Sequence, residues 1–283
     1  MDKNKYVNRS VLIGVTLDHF DGFTPSMLLG GLKILGIEFV EISHTIFSEV
    51  DNFSEKLGNI KTGFHLPIVH ETGWDISCTE HENEINDLIK KLNQYKEKLH
   101  IQHIICHPPE KNNVDISIKT SKEFLLNNLK RLNIPVYLEN TPHYNPEKFT
   151  QFYLEAKRKL GSRISGICYD APHFFISGYD PVEQYQKMVK EIGCVHLSDC
   201  KKDKDVHLPF NGGILPLHNI LKKIRNSKFK GYVTLEILPH SLKDIDAYIN
   251  SYLKTLYFLN FKKYIFTKLR LFFLRPLIKK IIN

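Results

Sequence analysis

Short apolar runs recur along the chain at Val11–Val15, Ile37–Ile42, Gly63–Ile68, Ile101–Cys106, Val136–Glu139, Ile164–Tyr169, Cys194–Leu197 and Tyr232–Leu238. Several are rich in β-branched residues, the pattern of strands buried on both faces. Between most of them the apolar period changes to that of a helix. In the third interval Ile85, Leu88, Ile89, Leu92, Tyr95 and Leu99 share one face, behind Thr79 and Glu82 at capping-box spacing. Helix-start signals recur at Thr24-Pro25, Ser121, Asn145-Pro146, Asp180-Pro181 and Ser241, while Gly36, Gly161 and Gly193 read as stops. The segment around Phe47–Leu57 has the weakest period. Eight strand–helix units predict an α/β fold, a single (β/α)8 barrel over residues 1–260 with a tail over 261–283. A doubly wound open sheet is the alternative, but no Gly-rich phosphate turn follows the first strand.

The predicted strands end, almost without exception, in a carboxylate or an imidazole: Glu41, His65, His107, Glu139, Asp170, His196 and Glu236. Taken singly, such a residue is more often a solvated loop group or a satisfied structural hydrogen bond. Their joint placement changes the picture, because side chains leaving the same end of successive parallel strands meet on one rim. Carboxylate oxygens and imidazole nitrogens in a dry pocket are the donors that hard or borderline divalent ions take.

Composition narrows the function classes. Hydrophobic residues at 42% and charged residues at 25% are ordinary for a globular chain. Cys78, Cys106, Cys168, Cys194 and Cys200 form no CxxC pair and read as reduced thiols in or near the core of a cytoplasmic protein. The amino terminus lacks the pattern of a signal peptide, and no run of about 18 apolar residues predicts a membrane span. Of the net charge of +8, the acid-free segment 261–283 carries seven cations: Lys262, Lys263, Lys268, Arg270, Arg275, Lys279 and Lys280. The rest of the chain is therefore near neutral, which removes the global electrostatic argument for nucleic acid. In the tail those cations mix with large apolar residues, and Pro276 interrupts its helical face. The mixture suits a segment lying on an anionic membrane surface. It suits equally one packed on the barrel or on another subunit.

Motif order then adds a family resemblance. Cys168-Tyr169-Asp170-Ala171-Pro172-His173 followed by Gly178-Tyr179-Asp180 resembles the DxxH…GYD signature of the xylose-isomerase-like barrels, which include endonuclease IV and sugar (phosphate) isomerases and epimerases. Leu138-Glu139-Asn140-Thr141, Val195-His196-Leu197-Ser198-Asp199, Asp205-Val206-His207-Leu208-Pro209 and Thr234-Leu235-Glu236-Ile237 agree in order. In the isomerase and epimerase branch the resemblance implies one divalent ion (Mn, Mg, Co or Zn) held by Glu139, Asp170, His196 and Glu236. Glu139 and Glu236 would be the pair that moves a proton through an enediolate. His173 would bond a substrate oxygen or merely orient Asp170. Trp74 would lie against a sugar face or pack locally. Lys201, with Lys202 and Lys204, would hold a substrate phosphate or carboxylate, or form a solvated loop face.

The endonuclease IV branch holds three zinc ions with further ligands, and His65, His107, His173, Asp205 and His207 match those. Against it, the first strand Ile13-Gly14-Val15-Thr16-Leu17-Asp18 lacks the histidine, serine and paired glycines of that branch. Leu35-Gly36-Ile37-Glu38-Phe39-Val40-Glu41 is closer to the isomerase pattern. Leu208-Pro209-Phe210-Asn211-Gly212-Gly213 replaces the Gly-Glu-Gly of endonuclease IV. The expectation is a metal-dependent isomerase or epimerase of a sugar, sugar phosphate or polyol. A zinc-dependent endonuclease acting at abasic sites in DNA and a non-catalytic metal-binding barrel stay open. Glu41 supports the branch assignment and has no ligand role in either reading.

Overall fold

The structure is a computed structural model describing residues 11–20, 22–110, 117–238 and 244–282, with only the course of the chain for 274–282. Eight strands, β1 (Leu12–Leu17), β2 (Phe39–Ile42), β3 (Lys61–His65), β4 (Ile101–Cys106), β5 (Val136–Glu139), β6 (Ile164–Asp170), β7 (Ile192–Leu197) and β8 (Tyr232–Leu235), form a closed parallel barrel in sequence order. Closure comes from β8 pairing with β1, where Leu12 sits opposite Tyr232 and Val15 opposite Leu235. Helices Pro25–Ile34, Val50–Leu57, Glu82–Tyr95, Ile118–Arg131, Pro146–Leu160, Pro181–Met188, Leu217–Asn226 and Ile245–Leu259 each follow one strand. This is the (β/α)8 architecture that the alternation of apolar periods predicts.

Two cores result, because successive strand residues face opposite sides of the sheet. The larger lies between barrel and helices and takes the outward strand residues together with one stripe of each helix, such as Ile85, Leu88, Ile89 and Leu92 of Glu82–Tyr95. The smaller lies inside the barrel, where Phe39, Ile105, Tyr137, Cys168, Cys194 and Tyr232 pack together. His103 stands among them, with its ring centroid 4.3 Å from that of Tyr232. These rings fit because glycines face them: a Cβ on Gly193 would lie 2.3 Å from the Tyr137 ring, and one on Gly63 would lie 2.7 Å from His103.

Local signals hold unevenly. Asn145 and Asp180 cap their helices as predicted, each side-chain oxygen accepting a backbone N–H. Gly193 is not a helix stop but lies within β7, where its missing side chain makes room for Tyr137. Thr79 and Glu82 form no capping box, since the chain enters the helix through a 3-10 turn, Thr79–His81, that moves Thr79 away from the cap. The helix after β4 starts at Ile118 rather than Ser121, because Ser117 Oγ accepts the N–H of Thr120. In the weakly periodic second interval, a 3-10 turn over His44–Ser48 precedes a two-turn helix that buries Val50, Phe53 and Leu57. The amino-terminal segment and the start signal at Ser241 lie outside the described residues.

The tail is helical over Phe261–Ile282, with Pro276 inside the helix rather than ending it. It docks on the barrel: Thr267 is buried, Lys263 pairs with Glu38 at 2.7 Å, and Arg270 Nη1 donates to the Lys33 and Ile34 carbonyls. Among the described residues no helix is long and apolar enough to cross a membrane.

Candidate metal centre

Strand parity builds the site. On β6 and β7, Cys168 sits opposite Cys194 and Asp170 opposite His196, so the thiols line the barrel interior and the two polar groups stand one layer above. The same step carries Glu41 above Phe39, His65 above Gly63, His107 above Ile105 and Glu139 above Tyr137. All of these upper groups are buried or nearly so.

Glu139 is the hub, with no exposed surface. Its Oε2 lies 3.2 Å from His65 Nε2 and 3.3 Å from His107 Nε2, while its Oε1 lies 3.1 Å from His196 Nδ1. His196 Nδ1 is also 3.2 Å from Glu236 Oε2, and its Nε2 is 3.1 Å from Glu41. Glu139, Asp170, His196 and Glu236 each present one ligand atom, all within 4.8 Å of one another. A second such group, His65, His107 and Glu139, shares the hub.

The donor set fits a divalent ion. Four carboxylates crowd a dry volume in which they would repel one another without compensating positive charge. Asp205 Oδ1 is buried without a hydrogen-bond partner, while Glu236 Oε2 and Glu41 Oε1 face the His196 ring, at 3.2 and 3.1 Å, and make no well-aligned hydrogen bond to it. Oxygen and imidazole donors suit Mn, Mg, Co or Zn.

Electrostatics divide the carboxylates of the site. Burial by itself would raise Glu139, but His196 and His107 outweigh it and hold that carboxyl well below the usual range. Glu236 is lowered in the same way, with burial opposed by His196 and His207. Asp170 moves in the other direction, to about 7: burial raises it, His173 offsets only part, and the charges of Glu139, Asp205 and Glu236 add to the rise. Burial would lower His65, yet its hydrogen bond to Glu139 and the charges of Glu139, Glu41 and Glu236 raise it to about 9.

Neighbouring backbone locks these groups. Asn140 grips the next strand end twice, its Nδ2 donating to the Asp170 carbonyl and its Oδ1 accepting the Asp170 N–H, both at 2.9 Å. Asp170 in turn caps the short helix Ala171–Ile176 by accepting the His173 N–H. His173 Nδ1 donates to the Asn140 carbonyl at 2.7 Å, leaving Nε2 facing Asp205 at 2.9 Å. After β7, buried Asp199 accepts N–H groups from Cys200, Asn211 and Leu215. Its backbone also pairs antiparallel with Leu208. That brace folds the loop back so that Asp205 and His207 face the barrel mouth. His207 adopts φ +45°, a conformation unfavourable for a side-chain-bearing residue, with its Nδ1 3.1 Å from the Glu236 carbonyl.

Above the ring lies a cavity of about 430 Å³, lined by Asp18, Glu41, His65, His107, His173, Asp205, His207 and Glu236 among others. Every ligand position expected from sequence is therefore in this ring or at its rim. Two expected substrate contacts are not. Trp74 does not line the cavity: a left-handed turn at Gly73 precedes it, and its ring stacks on His81 at 6.0 Å. Lys201 is exposed and also lies off the cavity lining, its N–H bonding the Lys204 carbonyl in a turn of the loop.

Several partners went unassigned from sequence. Glu41 is buried against His196, and its strand-end position was the available signal. Glu110 lies 3.1 Å from His107 Nδ1, and Asp18 accepts from Ser43 and Thr45 at the cavity edge. Nothing in the local sequence marks these two.

A family model for the xylose isomerase-like TIM barrel matches residues 32–255. Solved structures with the same fold include a D-tagatose 3-epimerase-like protein, at 16% identity and TM-score 0.65, covering 87% of this chain and 98% of that one. A 3-keto-D-glucoside 4-epimerase from E. coli aligns at 16% identity and TM-score 0.66, covering 87% and 99%. A family 2 AP endonuclease from Brucella melitensis aligns at 15% and 0.63, covering 83% and 95%. Among curated proteins none matches significantly.

Proposed function

Since the chain belongs to the xylose isomerase-like TIM barrel family, we propose that it is a divalent-metal-dependent isomerase or epimerase of a sugar, sugar phosphate or polyol. The observation that carries this reading is the convergence of Glu139, Asp170, His196 and Glu236 within 4.8 Å at the floor of a cavity of small-molecule size. These four residues would hold the ion. A bound divalent cation supplies Lewis acidity at a substrate carbonyl and its neighbouring hydroxyl, which makes the intervening C–H more acidic.

The remaining chemistry belongs to the chain. Glu139 and Glu236 are held ionised by the imidazoles around them, so each would carry the unprotonated carboxylate that proton removal needs but only as a weak base, and the step would rely on a C–H acidified by the ion. His196 fixes both carboxylates through one ring edge while Glu41 engages its other nitrogen. His173, anchored through Nδ1 to the Asn140 carbonyl, would reach a substrate oxygen only with its Nε2–H, in exchange for the contact that this nitrogen makes with Asp205. The loop braced by Asp199 carries Asp205 and His207 into the lining of the cavity. A cavity of about 430 Å³ is of the size that takes a small ligand, the class to which a hexose belongs.

The second group, His65, His107 and Glu139, favours one alternative, a zinc-dependent endonuclease acting at abasic sites in DNA. Metal counting separates the two. One ion per chain with turnover of a ketose panel is the expected result, with activity lost in Glu236→Gln. Three ions with cleavage of abasic DNA would replace this proposal by the alternative. Bound metal without either activity would leave a non-catalytic barrel.

A further inference from the structure

The C-terminal helix presents a face that the site does not use. Its contacts to Leu35, Lys33 and Glu38 settle its orientation: Thr267, Tyr264 and Leu271 turn toward the barrel. Phe261, Ile265, Phe266, Leu269, Phe272 and Phe273 turn outward. Phe272 and Phe273 are 74% and 73% exposed. A run of large apolar groups this exposed is not left in water by chance. Interleaved with them are Lys262, Lys268 and Arg270, all exposed.

The helix lies at the barrel end opposite the site. Lys33 through Glu38 precede β2, whereas Glu41 at the far end of that strand points into the metal centre. Beside the helix junction, the same end holds a cavity of about 330 Å³ lined by Arg225, Lys228, Lys230 and Asn260, with no carboxylate in its lining. Glu38, an acid close to the helix, is neutralised by Lys263.

We propose that this end of the barrel docks on an anionic lipid bilayer, with the helix lying in the interface and the metal site facing away into solvent. Cations and large apolar groups on one surface match phosphate headgroups beside acyl chains. A second copy of the chain would bring two acid-free, sevenfold cationic segments together. Nucleic acid would match the cations and leave the phenylalanines in water. The basic cavity is placed to receive a headgroup phosphate.

The full chain, loaded with its metal, is sedimented with phosphatidylcholine vesicles and with vesicles that also contain phosphatidylglycerol. The anionic vesicles are expected to bind at least about tenfold more tightly, with the preference lost in high salt. The combined Phe266→Ser, Phe272→Ser and Phe273→Ser variant should lower binding by at least about tenfold, since burying even one such ring is worth that much. Lys262→Glu with Lys268→Glu should abolish the anionic preference. These side chains are exposed, so metal content and thermal midpoint should stay at wild-type values in both variants. Equal binding to both vesicle types, or unchanged binding by the phenylalanine variant, would overturn the proposal. So would a dimer in vesicle-free light scattering that the same variant turns into a monomer.

Discussion

The two ends of this barrel use charge in opposite ways. At the carboxyl-terminal end of the strands, acids and imidazoles are buried and locked to one another through Glu139 and His196. At the amino-terminal end, cations stand exposed among aromatic groups, and the paired contacts of the C-terminal helix are few. A buried charge is costly without a partner, so the first end is a coupled network in which each group decides the state of the next. Exposed charges are screened and nearly independent. Substitutions at the first end should therefore propagate, and those at the second should not.

The strongest way to break that contrast is Glu139→Gln. Removing the hub charge should lower affinity for the proposed ion by more than about 100-fold, as seen by equilibrium dialysis with elemental analysis. It should also cost about 3–5 kcal/mol in denaturant unfolding of the metal-free protein, because three imidazoles lose their buried partner. Unchanged metal content would show that the ring is not the ligand set.

Proton linkage is the next test. In the metal-free fold His65 is raised to about 9 and Asp170 to about 7, so both keep protons that the unfolded chain would release. Stability of the metal-free protein should therefore fall as pH rises through Asp170's window up to about 7, and again from the ordinary histidine value of 6.5 to about 9. Metal competes with those protons, so its affinity should rise by up to about tenfold per pH unit between about pH 7 and 9. Calorimetry in buffers of different ionisation enthalpy would report the protons released. A pH-independent affinity would remove His65 from the coupled set.

Below the ring, the barrel interior is packed rather than charged, and Gly193→Ala probes it. Its new Cβ would lie 2.3 Å from the Tyr137 ring, so a loss of about 1–3 kcal/mol is expected from denaturant midpoints, with metal stoichiometry retained. The smallest effect should come from Arg270→Ala. It loses hydrogen bonds to two carbonyls at the end of helix Pro25–Ile34 and should cost about 1 kcal/mol or less in thermal unfolding. A change in metal affinity there would contradict the independence of the two ends.

Much of this was legible along the chain. Apolar runs of strand length, alternating with helical stripes such as Ile85, Leu88, Ile89 and Leu92, specified the eight units. An acid or imidazole at or beside seven of the eight strand ends marked the rim on which these groups gather. Failures came where a residue's environment is set by distant chain. Gly193 looks like a helix stop because glycine serves both as a cap and as a gap, and only Tyr137, on another strand, shows which applies. Trp74 is close in sequence to the third strand, yet the turn at Gly73 stacks it on His81.

Along the chain alone could be read the barrel, the rim on which its acids and imidazoles gather and the charge divided between body and tail. Those follow from short-range rules: side chains alternate every residue in a strand, recur every three or four in a helix, and keep their charge wherever the chain goes. Tertiary structure alone decided which rim groups touch, that Glu41 meets His196 from 155 residues away and that Glu139 serves two donor groups at once. Barrel closure brings β2 across from β7, and no local period encodes a contact made only when the last strand pairs with the first.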